Sequence, residues 1–294
     1  MSDYIGRFAP SPTGLLHMGS LLAALASFLD ARANGGRWLV RMEDLDPPRE
    51  QPGAAQAILD SLRAHGLHWD GEVMWQSQRG VAYDDALEQL LASGKAYYCS
   101  CSRSDLALYR GIYPGSCRGC RERPQPPSAI RLQVAPERIE FVDGLQGRCG
   151  QQLESKVGDF VLKRKDGLYA YQLAVVVDDA EQGVTHVVRG SDLLDSTPRQ
   201  IWLQRCLGLP TPHYIHIPVL VNRQGQKLSK QTFAPAIDRD RAIANLLVAL
   251  SYLRQPAPTD TTSVDTVLQQ AIVNWSLQLI PSCPALEPLS VPDC

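Results

Sequence analysis

The sequence predicts an α/β fold built on a parallel sheet, and three observations support it. The apolar strand Tyr4 to Phe8 precedes a helix in which apolar residues recur at helical spacing from Leu21 to Leu29. A second strand, Arg37 to Glu43, follows a Gly-rich helix stop, and a third, Val184 to Arg189, ends in a polar loop. Because parallel crossovers bring such strand ends to one edge of the sheet, where ligands bind, we expect the site there.

The later elements are predicted in chain order from spaced apolar residues and turn signals. Pro198 suits the first turn of a helix that opens at Ser196 and Thr197. The other predicted helices are Ala54 to Ala64, Val81 to Ser93, Ala242 to Leu253 and Val264 to Leu277, and the other predicted strands are Ala96 to Tyr98, Ala129 to Val134, Ile139 to Val142 and Asp159 to Arg164.

Length and composition are typical of a globular enzyme. The chain has 294 residues and is 44% hydrophobic, which is enough to bury one large core and a small appendage. Its formal net charge of −2 does not indicate a general nucleic-acid binder, so any RNA surface must be a local basic patch. The sequence has no long apolar stretch and no export signal, so we expect a cytoplasmic protein, and we expect a monomer.

Four of the eight cysteines cluster in a segment rich in Arg, Gly and Pro. They are Cys99, Cys101, Cys117 and Cys120, in the pattern C-x-C-x15-C-x2-C, and thiolates at such spacing can close a tetrahedral zinc site. The scattered cysteines are expected to be free thiols. We therefore predict an insertion at 99–127 that one structural zinc ion folds.

Two polar segments predict an ATP site. The first, His17-Met18-Gly19-Ser20, lies at the turn between the first strand and its helix, where backbone N–H groups and the helix dipole attract phosphate. The second is Lys227-Leu228-Ser229-Lys230-Gln231. A single histidine is more often structural, and that interpretation holds for the remaining ones, which are His65, His68, His186, His213 and His216.

These segments resemble the HIGH and KMSKS signatures of class I aminoacyl-tRNA synthetases. The segments FAPSPTG from Phe8, RMEDLD from Arg41 and VVRGSDLLDSTPRQ from Val187 follow in the order of the glutamyl branch. The resemblance implies a Rossmann-type catalytic domain that uses ATP with Mg²⁺. It implies His17 and Lys230 as catalytic residues, and an ATP site of His17, Gly19, Ser20, Lys227, Leu228, Ser229 and Lys230. Ser20 and Gln231 depart from the usual motifs, which is expected to weaken ATP stabilisation.

The same resemblance implies a glutamate site. A dicarboxylic amino acid offers two carboxylates and one ammonium, so two arginines and one carboxylate are needed. The implied residues are Arg7, Phe8, Ala9, Pro10, Ser11, Glu43, Tyr171 and Arg189. Resemblance to short glutamyl-synthetase paralogues also makes Tyr113 the fourth zinc ligand, with Cys120 as the alternative. The Arg-rich insertion, with Arg103, Arg110, Arg118, Arg121 and Arg123, is the candidate RNA contact.

The region after the KMSKS-like segment is too short for the anticodon-binding domain of full glutamyl-tRNA synthetases. The predicted domains are 1–98 and 128–236 for two halves of the catalytic domain, 99–127 for the zinc insertion, and 237–294 for a short helical region without an anticodon-binding domain. In this respect the chain resembles the short glutamyl-synthetase paralogues, and that resemblance implies activation of L-glutamate without tRNA and its transfer to queuosine in the anticodon of tRNA(Asp). The alternatives are a short synthetase that charges the tRNA 3′ end and a non-catalytic regulatory paralogue that binds tRNA.

Overall fold

The computed structural model describes residues 3–107, 109, 112–120, 124, 127–222, 224–228 and 235–288. The strands are β1 Ile5–Phe8, β2 Arg37–Met42, β3 Met74–Trp75, β4 Ala96–Cys99, β5 Ala129–Leu132, β6 Arg138–Asp143, β7 Gly147–Gln152, β8 Phe160–Lys163, β9 His186–Gly190, β10 His213–Ile217, β11 Val219–Leu220 and β12 Ala285–Leu286. The helices are α1 Met18–Ala33, α2 Ala54–Ala64, α3 Gly80–Ala92, α4 Arg103–Ala107, α5 Leu153–Lys156, α6 Tyr171–Glu181, α7 Thr197–Leu207, α8 Ala242–Tyr252 and α9 Val264–Val273.

Parallel strands form the centre of the molecule, as predicted. β1 pairs with β2 and β2 with β3, while β9 pairs with β10, all in parallel register. β9 also lies beside β1, where the Thr185 N–H donates to the Ile5 carbonyl at 3.0 Å. The carboxyl ends of β1, β2, β9 and β10 therefore meet at one edge of the molecule, and the loops that follow them face a common space.

Two hydrophobic cores hold the strands in place. In the first, α1 packs leucines against β2, α8 and α9, and the wholly buried Trp38 donates its indole N–H to Ser27 at 2.9 Å. In the second, α3, α6 and α7 pack on the antiparallel sheet β4–β5–β8. Burial on both sides explains why the strands read as continuous apolar runs.

The last helix is shorter than the sequence predicts. α9 ends at Val273, and Asn274 caps it with an N–H that bonds to the Gln270 carbonyl. The prediction of a helix to Leu277 was wrong because the next residues are used in tertiary contacts. The Trp275 indole donates to Asp30 at 2.9 Å, which turns the chain away from the helix axis. Among the described residues, no helix is long and apolar enough to cross a membrane.

Candidate active site

A cleft of about 840 Å³ opens at the carboxyl edge of the parallel strands. Loops after β1, β2 and β9 and the start of α6 form its walls. The predicted site residues that line it are Arg7, Phe8, Ala9, Pro10, Ser11, His17, Gly19, Ser20, Glu43, Tyr171, Arg189, Lys227 and Leu228. Ser229 and Lys230 lie outside the described residues, as does Gln231. The cleft thus brings the two predicted ligand sites next to each other.

His17 caps the N-terminus of α1 on the ATP side of the cleft. Its Nδ1 accepts a hydrogen bond from the Ser20 backbone N–H at 3.2 Å, and the Ser20 hydroxyl lies 3.1 Å from Nε2. A Cβ on Gly19 would lie 3.2 Å from the His17 ring and 3.5 Å from the Leu228 carbonyl oxygen, so this turn has little room for a side chain. The first turn of α1 therefore presents N–H groups and the positive end of the helix dipole to the cleft.

The second predicted motif begins at Lys227 and Leu228, and the Leu228 carbonyl lies next to Gly19 of the first motif. The Leu228 N–H donates to the Leu220 carbonyl at 2.7 Å, and Val221 and Lys227 form an antiparallel bridge. Lys227 Nζ lies 2.6 Å from the Asp192 carboxylate, which also lines the cleft. Sequence analysis did not identify Asp192, although its place in the polar loop after β9 was a signal for it.

Arg7, in β1, is held by an acid on α6. Its Nε donates to Asp179 Oδ1 at 3.2 Å, and the wholly buried Arg41 donates to the same oxygen at 2.8 Å. Burial would raise the pKa of Asp179, but Arg7 and Arg41 hold it below its usual value, so the carboxyl is an anion. Sequence analysis missed Asp179, because nothing in the sequence shows which strand arginines it meets.

Glu43 directly follows β2 and lines the cleft. Its N–H donates to the Pro10 carbonyl at 2.9 Å, which ties the loops after β1 and β2 together. Its carboxylate lies 3.4 Å from Arg41 Nη2. Burial raises the pKa of Glu43, and Arg41 and Arg7 act against that rise. Glu43 is partly buried, and its ion pair with Arg41 is long, so it would gain from a cation placed in the cleft.

Arg189, near the end of β9, contacts neutral groups. Its Nε lies 3.0 Å from His216 Nε2, its Nη2 donates to Thr197 Oγ1 at 2.8 Å, and its Nη1 donates to Tyr171 Oη at 3.4 Å. Burial raises the pKa of Tyr171, so this group stays a neutral phenol. The interpretation of His216 as an ordinary structural histidine was incomplete, because it touches a predicted site residue.

The predicted metal ligands lie together in the insertion. The sulfur atoms of Cys99, Cys101 and Cys117 are all within 4.8 Å of one another, and the Tyr113 oxygen lies 3.3 Å from Cys99 Sγ and 3.4 Å from Cys101 Sγ. Thiolates on a tetrahedral zinc ion are about 3.8 Å apart, so these four donors fit one. Cys120 is not in the group of three sulfur atoms.

Positive charge supports this cluster from one side. Arg131 Nε donates to Cys99 Sγ at 3.3 Å, and its guanidinium lies 4.0 Å from the centre of the Tyr113 ring. Arg118, a predicted RNA contact, instead bonds to the buried Asp159 at 2.7 and 2.8 Å. Asp159 therefore largely balances the positive charge of Arg118 within the fold. The other predicted RNA contacts lie outside what the structure describes. They are Arg110, Arg121, Arg123 and the side chain of Arg103.

Comparison with known proteins decides the family. The model of the catalytic domain of class I tRNA synthetases (E and Q) matches residues 5–242. The chain belongs to this family. This synthetase is a ligase, and the matched range contains the whole cleft as well as the cysteine cluster.

Named relatives resemble the synthetase over nearly their whole length. A Neisseria meningitidis serogroup C protein is 55% identical over 95% of this chain and 97% of its own, and a Pseudomonas fluorescens protein is 53% identical over 99% and 97%. Both are named glutamyl-Q tRNA(Asp) synthetase. The fold of the synthetase resembles the glutamate-tRNA synthetase of Elizabethkingia anophelis, with a TM-score of 0.82, 25% identity, and coverage of 96% of this chain and 67% of that one.

A second solved structure agrees with the first. The glutamate tRNA ligase of Elizabethkingia meningosepticum, in complex with its amino acid, has a TM-score of 0.81 and 25% identity to this synthetase. The match covers 96% of this chain and 66% of that one. The synthetase therefore spans about two thirds of the length of these solved structures, and nearly all of the length of the named relatives.

Proposed function

We propose that this enzyme activates L-glutamate with ATP to glutamyl-adenylate without tRNA, and transfers the glutamate to queuosine in the anticodon of tRNA(Asp). One observation carries the proposal. A single cleft holds two arginines and a partly buried carboxylate beside a helix N-terminus suited to phosphate, which is the arrangement that a dicarboxylic amino acid and ATP require together.

The charges of the cleft support glutamate as the amino acid. Arg7 and Arg189 supply two guanidinium groups for the two carboxylates, and Glu43 supplies the anion for the ammonium. The Tyr171 hydroxyl, next to Arg189, adds a neutral hydrogen-bonding group. Glutamine would leave one guanidinium facing an amide instead of a carboxylate, so the site should favour glutamate.

The adenylate would form by attack of a glutamate carboxylate oxygen on the α-phosphorus, with pyrophosphate leaving. Such a step needs positioning and charge stabilisation rather than a protein nucleophile. His17 lines the cleft, and with the first N–H groups of α1 it would bind the phosphates, while Lys227 and Lys230 would supply cations. Mg²⁺ bound with ATP would neutralise further phosphate charge.

The acceptor in this proposal rests on the named relatives. The proteins named glutamyl-Q tRNA(Asp) synthetase are more than 50% identical to this chain and match its length almost completely. The solved glutamate-tRNA synthetases are only 25% identical and are longer. We therefore favour transfer to the modified anticodon of tRNA(Asp) over charging of a tRNA 3′ end.

We also propose that one zinc ion binds Cys99, Cys101, Tyr113 and Cys117 and has a structural role. The fit of the four donors and the hydrogen bond from Arg131 to Cys99 support this set. The cluster forms its own small core with Tyr97, apart from the residues that line the cleft. Metal there would fold the insertion and take no part in the chemistry.

The test of the proposed function has two stages. Glutamate-dependent exchange of pyrophosphate into ATP is measured without any RNA. Labelled glutamate is then offered with tRNA(Asp) that carries queuosine, with the same tRNA lacking it, and with tRNA(Glu). We expect exchange in the first stage and label only on queuosine-containing tRNA(Asp), and nuclease cleavage should find that label in the anticodon stem-loop fragment and not in the fragment that carries the 3′ end. Charging of the tRNA(Glu) terminal adenosine would contradict the proposal.

A further inference from the structure

A buried polar cluster lies directly behind Arg189 and outside the cleft. His216 is wholly buried in β10, and parallel pairing places it opposite Arg189 in β9, so the two side chains lie on one face of the sheet. His216 Nδ1 lies 2.5 Å from Asp143 Oδ2, and its Nε2 lies 3.0 Å from Arg189 Nε. Thr197 Oγ1 lies between the Arg189 guanidinium and the His216 ring, 2.8 Å from Arg189 Nη2 and 3.1 Å from His216 Nε2.

The contacts fix the protonation of His216. An arginine Nε carries a hydrogen and can only donate, so His216 Nε2 must offer a lone pair. The imidazole proton is then on Nδ1, where the Asp143 carboxylate accepts it. Asp143 Oδ1 in turn accepts the backbone N–H groups of Leu145 and Gln146 at 3.0 and 2.9 Å, so the carboxylate cannot rotate freely.

The two arginines of the cleft therefore differ in charge compensation. Arg7 forms an ion pair with Asp179, whereas every hydrogen-bond partner recorded for Arg189 among the described residues is uncharged. A carboxylate in the position of His216 would hold Arg189 equally well but would cancel its charge. A neutral imidazole orients the guanidinium and leaves its charge available to an incoming carboxylate.

We infer that His216, held by Asp143, is a positioning residue that aims the Arg189 guanidinium at a carboxylate of the substrate and preserves its charge. The inference rests on the proposed glutamate site and adds to it a residue that does not itself reach the cleft. Among the described residues, His216, Thr197 and Tyr171 engage three of the five guanidinium N–H groups, which leaves two for the substrate.

Two variants of different shape test the role of the Nε2 acceptor. In His216→Gln the side-chain amide oxygen can take the place of Nε2 and accept from Arg189. In His216→Asn the shorter amide can reach Asp143 but leaves Arg189 Nε without its partner. We expect His216→Asn to raise the KM for glutamate in pyrophosphate exchange by about 10- to 100-fold. We expect His216→Gln to restore most of the affinity, and the KM for ATP to change by less than about twofold in both variants, since neither change touches the ATP side.

Control variants separate this inference from the proposed function. If Arg189→Ala leaves the KM for glutamate unchanged, the proposed glutamate site is wrong. If Arg189→Ala raises it but His216→Asn does not, the positioning role of His216 is overturned. An equal loss for glutamate and ATP would also overturn it, because a merely structural role predicts that result. Should His216→Asn fail to fold, Asp143→Asn serves instead, and the same selective rise in the glutamate KM is expected.

Discussion

At the scale of single residues, the cleft depends on how each charged group is held. Arg7 shares Asp179 with Arg41, so the acid balances two buried cations at once. Arg189 has a neutral histidine as its neighbour. One guanidinium is therefore partly neutralised before substrate arrives, and the other keeps its charge. Because of this asymmetry, the site can bind a ligand with two carboxylates. When the site is empty, it does not hold two uncompensated guanidinium groups.

The contribution of Arg7 can be measured directly. Arg7→Ala removes one predicted carboxylate ligand but leaves Asp179 paired with Arg41. The loss of one charge-assisted hydrogen bond predicts a rise of about 1.5 to 3 kcal/mol in the transition-state free energy of activation. Pyrophosphate exchange measures it through kcat/KM for glutamate. Arg164→Ala, which breaks an exposed ion pair with Asp166, is the control and should leave exchange unchanged.

His216 also predicts a pH dependence of stability. Burial lowers its pKa, the Asp143 carboxylate acts against this, and Arg189 lowers it further. A histidine with a lowered folded-state pKa contributes its full stability above the unfolded pKa of about 6.5 and loses it as the pH falls below that value. Urea unfolding between pH 7.5 and 5 should show a falling free energy of unfolding.

Urea unfolding of two variants over the same pH range shows how much of this pH dependence comes from His216. His216→Gln should flatten the fall, whereas His68→Gln, at an exposed position, should not change it. Part of the slope will remain in His216→Gln, because burial also lowers the pKa of His65 and of His186. An identical slope in His216→Gln and the wild type would show that His216 is not buried as a neutral group.

The residue types of the cleft could be predicted from the sequence, but their supports could not. Arg7, Glu43 and Arg189 stand next to predicted strand ends, and that placement brought all three into one cleft. His216 and Asp143 stand inside apolar or alternating runs, where a polar residue gives no sign of its partner. Only the register of β9 and β10 shows that His216 faces Arg189.

At the scale of elements, short segments carry the cluster of predicted metal ligands. Tyr113 forms a parallel bridge with Gly158, immediately before β8, and Cys99 ends β4 in the same sheet. Gly158 has a φ of +69°, and a Cβ there would lie 2.5 Å from both the N and the O atom of Tyr113. The spacing of the cysteines predicted their role as metal ligands. It gave no reason to connect them with a glycine about forty residues away in the chain.

Gly158→Ala should therefore weaken binding of the proposed zinc ion. The added methyl group must push the Tyr113 backbone away from Gly158, which moves the hydroxyl relative to Cys99 and Cys101. We expect substoichiometric zinc, measured by elemental analysis of the purified protein. Gly167→Ala is a matched control, since Gly167 has a φ of +89° but open space around its Cα. If both variants retain one zinc ion, the bridge does not position the cluster.

At the scale of the whole molecule, a late segment joins loops from distant parts of the chain. β12 pairs with β11 in parallel, and the Val219 and Val221 N–H groups donate to carbonyls of Pro284 and Leu286. The Pro284 carbonyl also accepts from the Ser191 hydroxyl. This segment therefore ties the loop after β9 to the strand that leads into the KMSKS-like motif.

Removal of β12 should weaken ATP binding more than glutamate binding. A chain that ends at Ser282 loses the hydrogen bonds to Val219 and Val221, and the loop that carries Lys227 then loses one of its supports. We expect a rise in the KM for ATP of about tenfold or more, because the hydrogen bonds from Val219, Val221 and Ser191 to this segment are all lost. A chain that ends at Pro288 keeps β12 and should behave as the full chain does. Pyrophosphate exchange at varied ATP concentration distinguishes the two.

The position of β12 also has a consequence for biosynthesis. Chains fold as they leave the ribosome, with the earlier segments first. Arg7, Glu43 and α1 are made early, and β9 and β10 can join them soon after. The segment that carries Lys227 follows β11, and β11 cannot pair with β12 until Leu286 has left the ribosome. The nascent enzyme should therefore acquire its amino-acid side before its nucleotide side, and it should become able to use ATP only after Ala285 and Leu286 have left the ribosome.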